Sequence, residues 1–288
     1  MSAVRGAVLG LGRMGGPMAD NAIRAGHDVR VFDVSAEAVQ PRVALGATAC
    51  DSPAAAAEGV DVVAVVVFDD AQARDVVAGP HGVLRSLAPG SVVAIHTTVT
   101  LDTVRDLAAE AEQHGVTVLD AGISGGEAGA AAGTLLTMVG GPAAAVDLAR
   151  PFLEAYSKEV LHAGPLGAGM ALKLARNATG YALMAAVHEA MVLARRSDVD
   201  LGSLRHVITE TGVLAQALAP FDIGGPEPLR ADEAAMQVAM QHLLRLADKD
   251  MDHALELAAH HAVDLEVFEA TRRIFWQVAR LTGPDVAG

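Results

Sequence analysis

Lys173 and Asn177 stand four residues apart in the run Gly167-Ala168-Gly169-Met170-Ala171-Leu172-Lys173-Leu174-Ala175-Arg176-Asn177. On a helix that spacing stacks both side chains on one face, within reach of a single small ligand. A lysine there has two readings. Desolvated, its amine loses a proton more easily and suits acid/base work; otherwise the ammonium snorkels past its apolar neighbours to water. The helix that must carry the pair is expected over 167–195. Its Leu172, Leu174, Tyr181, Leu183, Met184, Val187, Met191, Val192 and Leu193 fall nearly all round the axis, which predicts a buried helix.

A second group of residues has spacing suited to a different task. After the apolar run Ala7-Val8-Leu9 comes Gly10-Leu11-Gly12-Arg13-Met14-Gly15-Gly16-Pro17-Met18-Ala19-Asp20-Asn21, which reads as strand, glycine turn and helix. Gly10, Gly12 and Gly15 match the dinucleotide fingerprint: a tight turn, a close backbone approach to pyrophosphate, and close packing of helix on strand. The helix ends near Gly26, a second strand is expected over 28–32, and Asp33 follows it. A carboxylate there binds the two ribose hydroxyls of NAD and repels the 2′-phosphate of NADP, so NAD is expected over NADP. The plainer reading of Asp33 is a helix cap or turn residue.

The elements that position these residues alternate. Ser52-Pro53 opens a helix, 61–68 is an apolar strand, 70–77 a helix, 91–95 a strand, 101–114 a helix and 116–119 a strand. That alternation predicts a doubly wound α/β domain with a parallel sheet, where ligands lie beyond the carboxyl ends of the strands. Two strand ends carry chemistry. The hydroxyls of Thr97 and Thr98, after His96, either hydrogen-bond a nicotinamide or substrate or form a turn. In Asp120-Ala121-Gly122-Ile123-Ser124-Gly125-Gly126-Glu127, serine and consecutive glycines either make a backbone nest for a carboxylate or are a flexible turn. Past Arg195 the pattern is helical, over 203–211, 232–255 and 263–281, with a loop over 220–228. A Rossmann-type domain over 1–164 and an all-α domain over 165–288 are therefore expected, joined by the long helix.

Composition narrows the partners. A net charge of −14 disfavours nucleic acid and anionic membrane surfaces, and 52% hydrophobic content supports a sizeable core. The apolar run after the N-terminus is too short for a targeting signal, and 178–194 falls just short of a membrane span. The single cysteine, Cys50, fits a reducing compartment and reads as packing; a cytoplasmic protein is expected. His253 and His260 share a helix face, but no carboxylate set of ligand spacing accompanies them, so no metal site is expected. The long apolar helix and high hydrophobicity suggest a homodimer or homotetramer.

Taken together, the glycine motif, the Ser124-Gly125-Gly126 loop, the 167–177 segment and Lys249-Asp250 resemble the β-hydroxyacid dehydrogenase family, which includes 3-hydroxyisobutyrate dehydrogenases. Four motifs in the family's order span nearly the whole chain. The resemblance implies reversible hydride transfer between NAD(P) and a small β-hydroxy acid or its semialdehyde. It assigns cofactor contacts to Gly10, Leu11, Gly12, Arg13, Met14, Gly15, Asp33, Val67, Phe68, Thr98 and Lys249. It gives the substrate carboxylate to Ser124, Gly125 and Gly126, catalysis and substrate contact to Lys173 with Asn177, and closure of the site to Lys249 with Asp250. Three positions depart from the family's habit: Gly122 where proline is frequent, Phe68-Asp69 where leucine-proline is common, and His96 before the threonines. Two alternatives remain. An imine reductase of the same architecture would act on cyclic imines, and a non-catalytic dinucleotide-binding scaffold would lose nothing with Lys173.

Overall fold

A computed structural model describes residues 3–222 and 225–282. The chain divides into two compact units, Met1–Ala178 and Thr179–Gly288.

The first unit alternates strand and helix: β1 (Arg5–Leu9), α1 (Gly15–Arg24), β2 (Asp28–Phe32), α2 (Ala36–Ala44), β3 (Thr48–Ala49), α3 (Pro53–Ala57), β4 (Val62–Val65), α4 (Asp70–Ala78), β5 (Val92–Ile95) and α5 (Leu101–Glu112). It continues through β6 (Thr117–Ser124), α6 (Gly126–Ala132), β7 (Leu135–Gly140), α7 (Ala143–Leu153), β8 (Ser157–Gly164) and the start of α8 (Ala168–Arg196). The eight strands order as β3-β2-β1-β4-β5-β6-β7-β8, parallel throughout except where β7 runs antiparallel to β6. Valine-rich strands with period two bury both faces. Val8, Val62 and Ala64 meet α1, α2, α6 and α7 in one core, while Ala7, Val63 and Val65 meet α3, α4 and α5 in the other. The α/β doubly wound expectation holds.

Three expectations change. The strand read as 116–119 runs on to Ser124, because β7 pairs with it from Asp120 to Ser124; only Gly125 lies between it and α6. Asp120 and Gly122 are therefore buried strand residues and not part of a loop. The strands β7 and β8 enlarge the sheet beyond the elements read from the sequence. The long helix is present, but Leu174, Tyr181, Met184 and Met191 are exposed, at 41%, 68%, 70% and 41%, so it is not buried within the chain. Its apolar sides exceed what this chain covers.

The second unit comprises the rest of α8 with α9 (Leu201–Glu210), α10 (Val213–Gln216), α11 (Ala219–Asp222), α12 (Ala234–His260) and α13 (Glu266–Val278). The loop expected over 220–228 gives way at its start to α11, and Gly224 lies outside the described residues. Among the described residues no helix is long and apolar enough to cross a membrane.

Candidate active site

In the first unit a cleft of about 1140 Å³ opens across the carboxyl ends of β1, β2, β4 and β5, where the strand order reverses between β1 and β4. That reversal separates the connecting loops and leaves a crevice by construction.

The glycine turn forms its floor. Gly10 has φ +88°, and a Cβ there would lie 2.5 Å from the Val66 carbonyl oxygen; a Cβ on Gly15 would overlap the Gly10 carbonyl. At Gly12 nothing lies within 4 Å of a built Cβ, so this backbone faces open space. These are the three conditions a pyrophosphate needs from such a loop: a tight turn, an unobstructed approach and a helix seated hard on its strand. At the end of β2 the Asp33 Oδ2 accepts from the Leu11 N–H at 2.6 Å and Oδ1 from the Ser35 N–H at 2.8 Å. Its carboxylate is thereby held in the cleft wall. The residues present fit a dinucleotide.

Gly10, Gly12, Arg13, Met14, Asp33, Val67, Phe68, Thr98, Gly126 and Lys173 line this cleft. Leu11 and Gly15 are buried beneath it, Leu11 contributing its backbone and Gly15 its lack of a side chain. Ser124 and Gly125 stand just before Gly126, at the end of β6 and the turn after it. The two threonines separate in role. The buried Thr97 hydroxyl donates to the Val67 carbonyl at 3.0 Å, while Thr98 is exposed on the cleft. Phe68 is 86% exposed, and Asp69 caps α4 through the Gln72 N–H.

Lys173 is half-buried, and its Nζ donates a short hydrogen bond to the Ile123 carbonyl. Burial, with Arg176 one turn along, holds its pKa below the usual lysine value. Asn177 follows one turn later, also half-buried, its Oδ1 accepting from Arg176 at 3.3 Å. Lys249 belongs to the second unit, exposed on α12 with Nζ 3.2 Å from Asp250.

Sequence reading missed part of the cleft. Beyond β3, Asp51, Ser52 and Pro53 line its far end with Gln72, Asp75 and His81. The signal was present in Ser52-Pro53, legible as a helix start but silent about which strand end it adjoined. Beneath the cleft, His96 is fully buried. Its Nδ1 lies 2.7 Å from the Ala121 carbonyl and so carries the proton, and Nε2 accepts from the Tyr156 hydroxyl at 3.0 Å. Burial lowers its pKa to about 4.

The comparisons agree with this geometry. Residues 5–164 match the family described as the NAD binding domain of 6-phosphogluconate dehydrogenase, and 167–287 the family described as NAD-binding of NADP-dependent 3-hydroxyisobutyrate dehydrogenase. An NAD-dependent L-serine dehydrogenase from Pseudomonas aeruginosa is 36% identical over 252 residues, covering 88% of this chain and 84% of the relative. A 3-hydroxyisobutyrate dehydrogenase from the same organism is 36% identical, covering 86% and 83%. Among solved structures, Mycobacterium tuberculosis 3-hydroxyisobutyrate dehydrogenase with L-serine superposes at TM-score 0.70 with 29% identity, over 96% of this chain and 94% of that one. An imine reductase from Myxococcus stipitatus superposes at 0.79 with 19% identity, over 97% and 94%, a likeness of fold alone.

Proposed function

Since this chain belongs to the β-hydroxyacid dehydrogenase family and is an NAD-dependent oxidoreductase, we propose that it oxidises a small β-hydroxy acid, or reduces the corresponding semialdehyde, with Lys173 as general acid and base. The observation that carries this reading is a half-buried amine of lowered pKa lining the same cleft as the glycine turn and Asp33. NAD, when bound, supplies the hydride acceptor or donor; the chain supplies position and protons.

In oxidation, neutral Lys173 accepts the substrate hydroxyl proton on the lone pair of Nζ, while an N–H of the same amine is held by the Ile123 carbonyl. In reduction, the ammonium returns that proton to the carbonyl oxygen. Asn177 orients the reacting oxygen or the amine. Ser124, Gly125 and Gly126 anchor the carboxylate, and holding both ends of the substrate turns an encounter into an intramolecular arrangement. Asp33, with Asp51 and Asp75 lining the same cleft, disfavours the extra phosphate of NADP, so NAD is the preferred cofactor.

The same proposal includes a cytoplasmic location and a homodimer or homotetramer, the latter supported by the uncovered apolar sides of α8. Its test is absorbance of the reduced nicotinamide, with NAD or NADP and a panel of 3-hydroxyisobutyrate, L-serine, their semialdehydes and cyclic imines. Turnover of a hydroxy acid that falls about 10²–10⁴-fold in Lys173→Ala, with NAD affinity kept, supports the reading. Turnover of imines only, or full turnover without the lysine, overturns it.

A further inference from the structure

Lys173 reaches its place through contacts that lie under the cleft. Asp120, in the middle of β6, is fully buried, and the hydride-transfer reading gives it no role. Its Oδ1 accepts from the Gly167 N–H at 2.7 Å and its Oδ2 from the Met170 N–H at 2.6 Å. Both amides lie at the head of α8, where N–H groups have no carbonyl partner one turn back. Three residues beyond Met170 comes Lys173, and three beyond Asp120 on the same strand comes Ile123, whose carbonyl takes the lysine Nζ. One strand thus grips one helix twice, at its head and at its amine.

The grip is close. A Cβ on Gly169 would lie 2.6 Å from the Asp120 carbonyl oxygen, and one on Gly122 would lie 2.7 Å from the Lys173 Cβ. Neither strand nor helix has slack there, since real side-chain carbons do not approach to such distances. A carboxylate buried this fully is tolerated because the helix amides and the positive end of the helix dipole replace water.

We propose that Asp120 is a positioning residue: its carboxylate clamps the head of α8 onto β6 and, with Gly122 giving the clearance, sets the depth at which the Lys173 amine is held. The consequence for the reaction rests on the reading of Lys173 as acid and base. The clamp itself can be measured without a substrate.

The chain has three lysines, Lys158, Lys173 and Lys249, and the other two are exposed. Pulse acetylation across a pH series, read by peptide mass spectrometry, follows the Lys173 peptide in the intact protein, with a free lysine peptide in the same solution as reference. Arg176 on the same helix is the charged group that acts on Lys173, and Asp120 and His96 are the buried titratable groups of β6 and of the end of β5. In the wild type Lys173 should titrate below that reference. In Asp120→Asn, with native circular dichroism, its midpoint should rise toward the reference as the amine becomes hydrated. Loss of a neighbouring negative charge alone would move it down, and a purely structural Asp120 would leave it unmoved; either result overturns the proposal. Gly122→Ala keeps every charge and crowds the lysine, so it should give the same rise. If Asp120→Asn does not fold, that variant decides, and an unmoved midpoint sinks the idea. Turnover of Lys173→Ala on 3-hydroxyisobutyrate or L-serine separately reads whether the amine does the chemistry.

Discussion

His96 shows how one residue sets a pH limit. Folded, its imidazole is neutral, with a pKa lowered to about 4; an unfolded histidine takes its proton near 6.5. The stability that depends on this neutrality is whole above about pH 6.5, declines as acid protonates the unfolded chain first, and is gone below about 4. Across that window it is on the order of 3 kcal/mol. His27, also lowered by burial, acts with the same sign. Melting temperature measured from pH 7 down to 5 should therefore fall, and should fall less steeply in His96→Gln. Lys173 has the opposite consequence for rate. Oxidation needs the free amine, so kcat should rise with pH to a plateau whose midpoint lies below that of an ordinary lysine; reduction should fall over the same range. At the cofactor end, Asp33→Ser should lower the preference for NAD over NADP by about tenfold in kcat/KM, since a full carboxylate charge leaves the ribose pocket.

At the scale of elements, α13 depends on α8 within the second unit. The Glu189 carboxylate accepts from the Val267 and Phe268 N–H groups, the first turn of α13, at 2.7 and 3.0 Å. Glu189→Ala should cost about 1–2 kcal/mol, seen as a lower melting temperature with NAD affinity unchanged. The elements that carry the cleft were the legible ones, because glycine spacing, Asp33 at a strand end and Ser52-Pro53 are local signals. What stayed hidden was non-local. The strand β8 exposes Lys158, Glu159 and Leu161, as a sheet edge must, and that blurs its pattern. Asp120 looked like a loop residue because its continuation as strand depends on β7, which pairs with it from twenty residues downstream. The sequence of α8 told correctly that its apolar residues need cover, and was silent on what supplies it.

For the whole molecule, the cover is the issue. Among the described residues the second unit buries few apolar side chains, namely Ala194, Leu229, Ala258, Leu265, Ala279 and Leu281, while Val207, Leu214, Leu218, Val238 and Leu246 are exposed. So thin a core does not support about 100 residues alone. Light scattering at micromolar concentration should find a dimer or tetramer, and Met184→Glu should shift it toward monomer with a lower melting temperature. A monomeric wild type would contradict the proposed assembly. The boundary between the units falls at Ala178, inside α8 and beside Asn177. Heat that unravels the helical unit has a continuous path of hydrogen-bonded turns back toward the amine, and none so direct to the glycine turn. On warming, catalysis should therefore vanish several degrees before cofactor binding does, leaving for an interval a protein that still holds its dinucleotide and can no longer use it.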